Sequence, residues 1–254
     1  MARTTLPTVD AVLADLRERG YEIDRPSGSA TPAAVATGGD APAAITDAPL
    51  AVEPLAAVTP LHLVARLADA ARAGHAPLLV VDGADRDTAR EVLDAPLLVD
   101  EETDGRRTFY TVPDRIRLTD GTLACVRTDG GFTWRETEGG GITNDATDGD
   151  APLVLETEGR DVAAFDGVDG LTCPGPDPGA FPYRYARGED KRIHVFDRER
   201  EVGVYNGVAA MKANAYRPVP LPLVPEHHVR ENADLARRWL LATATDGAVD
   251  YRTA

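Results

Sequence analysis

Residues 77–96 read PLLVVDGADRDTAREVLDAP, and this stretch indicates the fold of the first half of the chain. A short apolar run ends at Asp82-Gly83, and a helical pattern begins within a few residues. An apolar run of this length is typical of a buried strand, and the turn and helix that follow are typical of a β-turn-α unit. The stretch therefore predicts a strand over 77–82 and a helix over about 85–93.

The residues on either side extend this pattern. Thr59-Pro60 combines a capping side chain with the proline favoured at the first helical position, and Gly74 ends the helical periodicity. A second apolar run follows the first at 96–99. The α-β-α-β succession predicts a small α/β unit over residues 59–104, built on a parallel or mixed sheet.

Two different segments precede this unit. Residues 1–23 hold an amphipathic helix over about 8–20. Residues 24–58 contain eleven alanines, five prolines and no aromatic residue, so they are expected to form a linker or a loosely held arm. The alternative is a set of short edge strands anchored by Val35, Ile45 and Val52.

The pattern after residue 104 is that of a β protein. Short alternating runs follow one another, among them TLACVRT, GFTWRE, DVAAF, GLTC and RIHVF, and about ten strands are expected between residues 106 and 214. Asp120-Gly121 and Asp129-Gly130 separate such runs and favour hairpins. Residues 105–225 are therefore predicted to form an antiparallel β-rich domain.

The last part of the chain contains a proline-rich arm and a predicted helix. RPVPLPLVP at 217–225 must be extended, and its Val219, Leu221 and Leu223 favour packing against the β-rich domain. Residues 226–254 are expected to form a C-terminal helix over about 226–244 and a tail. The fold class predicted is α+β: a small N-terminal α/β unit, a larger antiparallel β-rich domain and a C-terminal helix.

Composition indicates the protein's environment. The chain has 254 residues with 42 acids against 27 bases, a net charge of −15, and only two of the bases are lysines. An acidic, lysine-poor composition is typical of proteins from salt-in halophilic archaea, because molar salt screens the repulsion between carboxylates. No signal peptide and no apolar stretch long enough to span a membrane is found, so a cytoplasmic protein is expected.

Several catalytic classes lack their residues in this sequence. The only serines, Ser27 and Ser29, lie in the proline-rich segment, which argues against a serine nucleophile. Lys191 and Lys212 do not follow glycine, so a phosphate-binding P-loop is absent. No His/Cys spacing fits a zinc site. We therefore assign no catalytic residue, no metal site and no cofactor as the leading interpretation.

One short stretch resembles a known catalytic motif. LLVVDGADRDTAREVL, residues 78–93, resembles the opening motif of the Toprim domains of primases and topoisomerases, although Asp82 stands where that family has glutamate. The family's second motif, Asp-x-Asp, has its nearest counterpart in Asp100-Glu101-Glu102. The resemblance implies Mg²⁺ held by Asp82, Asp85 and Asp87, and phosphoryl or nucleotidyl transfer or hydrolysis. The simpler interpretation is a turn at Asp82 with Asp85 and Asp87 at a helix start.

The charge balance changes near residue 181. Residues 181–240 hold 11 bases and 8 acids, a net charge of +3 within an acidic chain. Aromatic and basic side chains alternate at the start of this region, as in proteins that bind single-stranded nucleic acid. The candidate binding residues are Phe181, Tyr183, Arg184, Tyr185, Arg187, Lys191 and Arg192. The simpler interpretation is that the rings face the core and the arginines form ion pairs.

These observations favour a non-enzymatic binding or interaction protein, with a surface centred on residues 181–217. Its expected partner is another protein or a second copy of the chain, and nucleic acid is possible. The alternative is the Mg²⁺-dependent, Toprim-like enzyme described above. No membrane partner is expected.

Overall fold

The computed structural model describes residues 7–26, 32–42, 48–137, 152–230, 232–245 and 248–253. The fold is α+β and rich in strands, as the sequence predicts. The chain forms two compact units. Unit 1 comprises Met1–Leu98 and Pro225–Ala254, and unit 2 comprises Val99–Val224. None of the described helices is long and apolar enough to cross a membrane.

Seven helices and eighteen strands are described in chain order. The helices are α1 Pro7–Glu18, α2 Pro60–Arg72, α3 Arg86–Leu93, α4 Asp169–Thr172, α5 Val208–Lys212, α6 Pro225–His228 and α7 Ala233–Ala236. The first nine strands are β1 Glu22–Asp24, β2 Ala34–Thr37, β3 Leu50–Pro54, β4 Ala76–Val80, β5 Val99–Thr103, β6 Arg106–Phe109, β7 Thr111–Arg115, β8 Leu123–Arg127 and β9 Thr133–Glu136. The remaining strands are β10 Leu153–Thr157, β11 Arg160–Phe165, β12 Tyr183–Arg187, β13 Ile193–Asp197, β14 Arg200–Tyr205, β15 Tyr216–Pro218, β16 Pro220–Pro222, β17 Leu240–Thr245 and β18 Ala248–Arg252.

Unit 1 is built on one mixed sheet of six strands in the order β1-β2-β3-β4-β17-β18. Strands β3, β4 and β17 are parallel, and the other neighbours are antiparallel. Every residue of β4 is buried, which explains its continuous apolar sequence. The predicted strand over 77–82 therefore lies between two parallel neighbours.

Helix α2 begins and ends as its sequence predicts. The Thr59 hydroxyl accepts a hydrogen bond from the His62 backbone N–H at 3.3 Å, and Pro60 occupies the first helical turn. Gly74 has φ of 72°, the left-handed conformation that commonly ends a helix. The buried face comprises Leu63, Val64, Leu67, Ala70 and Ala71. Helix α2 is therefore the crossover connection between the parallel strands β3 and β4, and it packs against β4.

The prediction that residues 24–58 form a linker or arm is wrong for the residues described. Strands β2 and β3 lie within this segment and pair with each other, with Ala34 opposite Val52. Leu50, Ala51 and Val52 are buried in the sheet. Ala34 and Ala36 share a buried core with residues of helix α1, so high alanine content does not prevent burial here. Val35 and Val52 lie in strands, as the alternative expected, whereas Ile45 lies outside the described residues.

The C-terminal helix predicted over 226–244 is also wrong. Two short helices, α6 and α7, are followed by the antiparallel strand pair β17 and β18. Leu240, Leu241 and Ala242 are buried and run parallel to β4. Completing the central sheet buries these apolar residues, and this tertiary packing outweighs their helix propensity.

Unit 2 contains two five-stranded antiparallel sheets and one strand pair. The sheet orders are β11-β10-β9-β6-β5 and β14-β13-β12-β8-β15, and β16 pairs with β7. A core around Trp134 and a smaller core around Tyr185 fill the unit. The predicted antiparallel β-rich domain is therefore present, with one local correction: GLTC forms helix α4 and its cap at Cys173 instead of a strand. Leu171 is buried by this helical turn.

The start of unit 2 differs from the predicted boundary at residue 104. Val99 begins β5, which pairs antiparallel with β6 in unit 2 and does not join β4. The predicted α/β unit over 59–104 therefore ends earlier, at Leu98, and its sheet is completed by strands from 50–54 and 240–245.

The proline arm packs as the sequence predicts. Strand β15 forms the edge of a sheet, and β16 pairs only with β7 among the described strands. Val219 and Leu223 are fully buried, and Leu221 is partly buried against the Trp134 core. The indole N–H of Trp134 donates to the Pro220 carbonyl at 2.9 Å. The arm therefore belongs to the hydrophobic structure of unit 2.

Candidate functional site: the β12–β13 region

The aromatic residues predicted for binding lie mainly in the core. Strand β12 is an inner strand, paired with β8 and β13. Phe181 and Tyr185 are each only 4% exposed, whereas Tyr183 is partly buried and stacks edge-on against Tyr216. Two of the three rings are therefore structural, and Tyr183 alone retains some exposed ring surface.

Arg184 is also held by its own fold. Its guanidinium lies 3.4 Å from Asp120 and 5.1 Å from the centre of the Phe196 ring. Its Nε is buried and finds no hydrogen-bond partner among the described residues. With 17% of its side chain exposed, Arg184 acts mainly as a packing and ion-pair residue.

The remaining predicted cations surround the turn between β12 and β13. Arg187, Lys191 and Arg192 are exposed. Within the described part of the chain, none of these three lies within 4.0 Å of a carboxylate. We call these three residues the β12–β13 cation group.

Hydrogen bonds give this turn a defined conformation. The Gly188 N–H donates to the Arg192 carbonyl at 2.9 Å, and the Lys191 N–H donates to the Gly188 carbonyl at 3.0 Å. Asp190 Oδ1 accepts from the Arg192 N–H at 3.0 Å and lies 3.0 Å from His194 Nε2. The backbone hydrogen bond from Arg192 and the hydrogen bond from His194 hold the pKa of Asp190 below its ordinary value.

His194 connects the turn to the neighbouring strand. Its Nδ1 lies 2.6 Å from Glu201 of β14, and its ring stacks on Phe196. Hydrogen bonds with Glu201 and then Asp190 raise the pKa of His194 above its ordinary value. Two carboxylates near the cation group are thus engaged with one imidazole, while Glu189 remains an exposed acid in the turn.

The three aspartates of the enzyme alternative do not form a metal site. Asp82 accepts a hydrogen bond from the Thr8 hydroxyl at 3.2 Å, and Asp87 lies 3.6 Å from Arg86. Asp85 precedes helix α3 without a side-chain capping bond. No group of three or more metal-binding side chains occurs among the described residues. These residues therefore do not fit the Mg²⁺ that the Toprim resemblance implies.

The second half of that resemblance is also absent. Asp100, Glu101 and Glu102 lie in β5 of unit 2, at the edge of its sheet, whereas Asp82 follows β4 of unit 1. We therefore propose no reaction that uses these residues.

Two buried carboxylates lie outside the predicted site. Glu53 of β3 is 1% exposed, and its Oε2 lies 3.8 Å from Arg66 Nε. Burial raises the pKa of Glu53 to about 7, although Arg66 opposes the rise. Glu136 of β9 instead makes a two-point ion pair with Arg107, in which Nε and Oε2 lie 3.0 Å apart. The charge of Glu136 is neutralised by Arg107, whereas the carboxyl group of Glu53 is largely unpartnered.

A groove in unit 2 contains none of the site residues predicted from the sequence. The groove has a volume of about 350 Å³ and lies beside strands β7, β15 and β16. Its lining includes three cations, Arg115, Lys212 and Arg217, which are up to 102 positions apart in the chain. No local motif joins them, and the rarity of lysine is the one sequence signal that could have drawn attention to Lys212.

Comparisons of the chain with protein-family models, with curated proteins and with solved structures find no match in any of the three.

Proposed function

We propose that the chain is a non-enzymatic binding protein whose contact surface is the β12–β13 cation group. The partner is another protein that presents an acidic patch. One observation carries this proposal: three exposed cations lie around one hydrogen-bonded turn, and none of them lies within 4.0 Å of a carboxylate among the described residues of a chain with net charge −15.

The conformation of the turn supports a binding role. Asp190 and Glu201 are both turned toward His194, so their charge is partly compensated within the fold. Arg187, Lys191 and Arg192 remain available to solvent on a turn that needs little ordering upon binding. Preordered cations speed association with an oppositely charged surface and lose less conformational entropy in the complex.

Charge reversal tests this proposal. We expect the triple variant R187E/K191E/R192E to lose its partner in a pull-down from native lysate, because attraction becomes repulsion. The matched control is R160E/R237E/R238E, which makes the same charge change at three exposed arginines elsewhere. Retention by the first variant, or equal loss by both, would contradict the proposal.

A nuclease-treated sample distinguishes a protein partner from nucleic acid. Capture that survives nuclease supports the protein partner proposed here. Capture that disappears with nuclease would overturn that choice, although the binding surface would stand. Light scattering of the purified chain completes the experiment, since a dimer broken by the triple variant would identify a second copy as the partner.

We also propose a salt-rich cytoplasm as the setting of this protein. Its 42 acids and two lysines support the proposal, because dense carboxylates repel one another less when salt shortens the screening length. The melting temperature is expected to rise from dilute buffer to molar KCl. A melting temperature that is unchanged or falls across that range would count against this setting.

A further inference from the structure

We propose that the groove lined by Arg115, Lys212 and Arg217 binds a phosphate group carried on a small organic molecule with a flat or apolar body. This site is separate from the β12–β13 cation group and does not depend on the function proposed above. We call it the phosphate groove.

The size and composition of the phosphate groove suit such a ligand. A volume of about 350 Å³ lies near the lower end of the range for small-molecule sites. One part of the lining is apolar and stiff, because it includes Phe132 and three prolines at 113, 218 and 220. Proline also removes backbone N–H donors from this wall, so an apolar group can lie against it without leaving a donor unpaired.

The polar part of the lining is entirely cationic or neutral. It contains Arg115, Lys212, Arg217 and Thr111, and no acidic side chain. Across the part of the chain that the structure describes, none of the three cations lies within 4.0 Å of a carboxylate. An anion bound in this groove would be attracted by three cations of like charge.

Hydrogen bonds to the backbone fix the orientation of the Arg217 guanidinium before any ligand binds. Its Nε donates to the Thr128 carbonyl at 3.0 Å, and its Nη2 donates to the Asp129 carbonyl at 2.9 Å. A guanidinium has five N–H donors, so these bonds fix the plane and leave others for an anion. Guanidinium geometry matches phosphate oxygens in pairs, which favours phosphate over a simple halide.

The turn that holds Arg217 is itself packed. Glu158 Oε1 accepts from the Gly130 N–H and from the Thr128 hydroxyl, both at 3.1 Å. A Cβ on Gly130 would lie 2.9 Å from Glu158 Cγ, so a larger residue there would displace the Glu158 side chain. Glu158 is thus occupied by the turn, and it does not line the groove.

Ligand-dependent stability tests the phosphate groove. The probes are inorganic phosphate and a nucleoside monophosphate, each added at constant ionic strength maintained with KCl. We expect the nucleoside monophosphate to raise the melting temperature in proportion to the logarithm of its concentration, as ligand linkage requires. Inorganic phosphate should act more weakly, since it lacks the flat body.

Lys212→Glu supplies the critical variant, and Lys191→Glu is its matched control. Lys212 is exposed and makes no described ion pair, so its replacement should leave the fold intact. We expect K212E to weaken nucleotide binding roughly tenfold or more in titration calorimetry, as loss of a charge-assisted contact implies. K191E should bind like the wild type.

Three results would overturn the phosphate groove: no thermal shift with either probe, equal binding by K212E and wild type, or equal loss in K212E and K191E. The two proposals fail separately. Loss of partner capture in R187E/K191E/R192E tests the β12–β13 cation group, whereas loss of nucleotide binding in K212E tests the phosphate groove.

Discussion

Glu53 is an ionisable residue whose buried environment disfavours its charged form. Its carboxyl group lies at the carboxyl end of a parallel strand, beneath helix α2, and one oxygen is buried without a hydrogen-bond partner among the described residues. Arg66 is close, but at 3.8 Å it compensates the charge only partly. A buried carboxylate in this situation favours its protonated form.

This environment makes the stability of the protein depend on pH. The pKa of Glu53 is about 7 in the folded chain and 4.5 ordinarily, so unfolding releases a proton between these values. The free energy of unfolding therefore falls as pH rises through this window, by ~3 kcal/mol. Glu53→Gln should remove that fall, and Glu91→Gln, at an exposed site on α3, should not.

Urea unfolding of the three proteins between pH 4 and pH 8 measures the effect. The difference between E53Q and wild type should grow in favour of E53Q as pH rises. A difference that stays constant with pH would contradict the prediction, because it would show that Glu53 has the same pKa in the folded and the unfolded chain.

A second residue-scale prediction concerns the buried ion pair of unit 2. Arg107→Ala leaves Glu136 charged and buried, which should cost about 3–5 kcal/mol of unfolding free energy. Arg135→Ala breaks pairs with the more exposed Glu156 and Asp161 and should cost about 1 kcal/mol or less. Chemical unfolding of both variants measures the two losses of unfolding free energy. Similar losses would contradict the prediction that the buried ion pair contributes more than the exposed ones.

At the scale of elements, the proline arm is the clearest prediction from sequence. Val219, Leu221 and Leu223 alternate, and the structure buries the first and third fully. The Leu223 N–H also donates to the Tyr110 carbonyl at 2.8 Å, which holds the end of the arm against unit 2. Side-chain packing therefore adds to the strand pairing of β15 with β8 and of β16 with β7 in anchoring this extended segment.

Shortening the side chain of Leu223 tests how much the packing of the arm contributes to stability. Leu223→Ala should lower the free energy of unfolding by about 2–5 kcal/mol, because a fully buried side chain leaves a cavity. Leu221→Ala, at a half-buried position, should cost clearly less. Thermal or urea unfolding provides the comparison. If both variants lost the same small amount, the arm would be only loosely attached.

Other elements show where sequence patterns stop being informative. The start and end of α2 follow local rules, since Thr59, Pro60 and Gly74 act within one turn of the chain. The Asp129-Gly130 turn looks like a hairpin, yet β8 and β9 on either side belong to different sheets. Turn chemistry specifies a reversal of the chain but not which strands pair afterwards.

At the scale of the whole molecule, the boundaries of the two units depend on contacts between distant parts of the chain. Strand β4 pairs with β3 at 50–54 and with β17 at 240–245. In the sequence, β3 precedes the whole of unit 2 and β17 follows it. Nothing local in LLATAT or in the alanine-rich segment indicates this pairing. The α+β class could be predicted from periodicity, whereas the division of the chain could not.

The candidate site was predictable to a similar degree. Composition directed attention to a region richer in cations, but it could not separate Phe181 and Tyr185, which face the core, from the exposed cation group. Alternation along β12 places residues on faces, and only the fold determines which face is covered. The phosphate groove, assembled from distant residues, gave no local pattern.

The two lysines of the chain make the central claim directly measurable, because Lys191 lies in the β12–β13 cation group and Lys212 lies in the phosphate groove. The measurement is mass spectrometry of lysine acetylation rates in the free protein and in the captured complex, in phosphate-free buffer. Binding through the cation group predicts that Lys191 is protected in the complex while Lys212 is labelled at its free rate. Labelling of Lys191 at an unchanged rate in the complex would contradict the account.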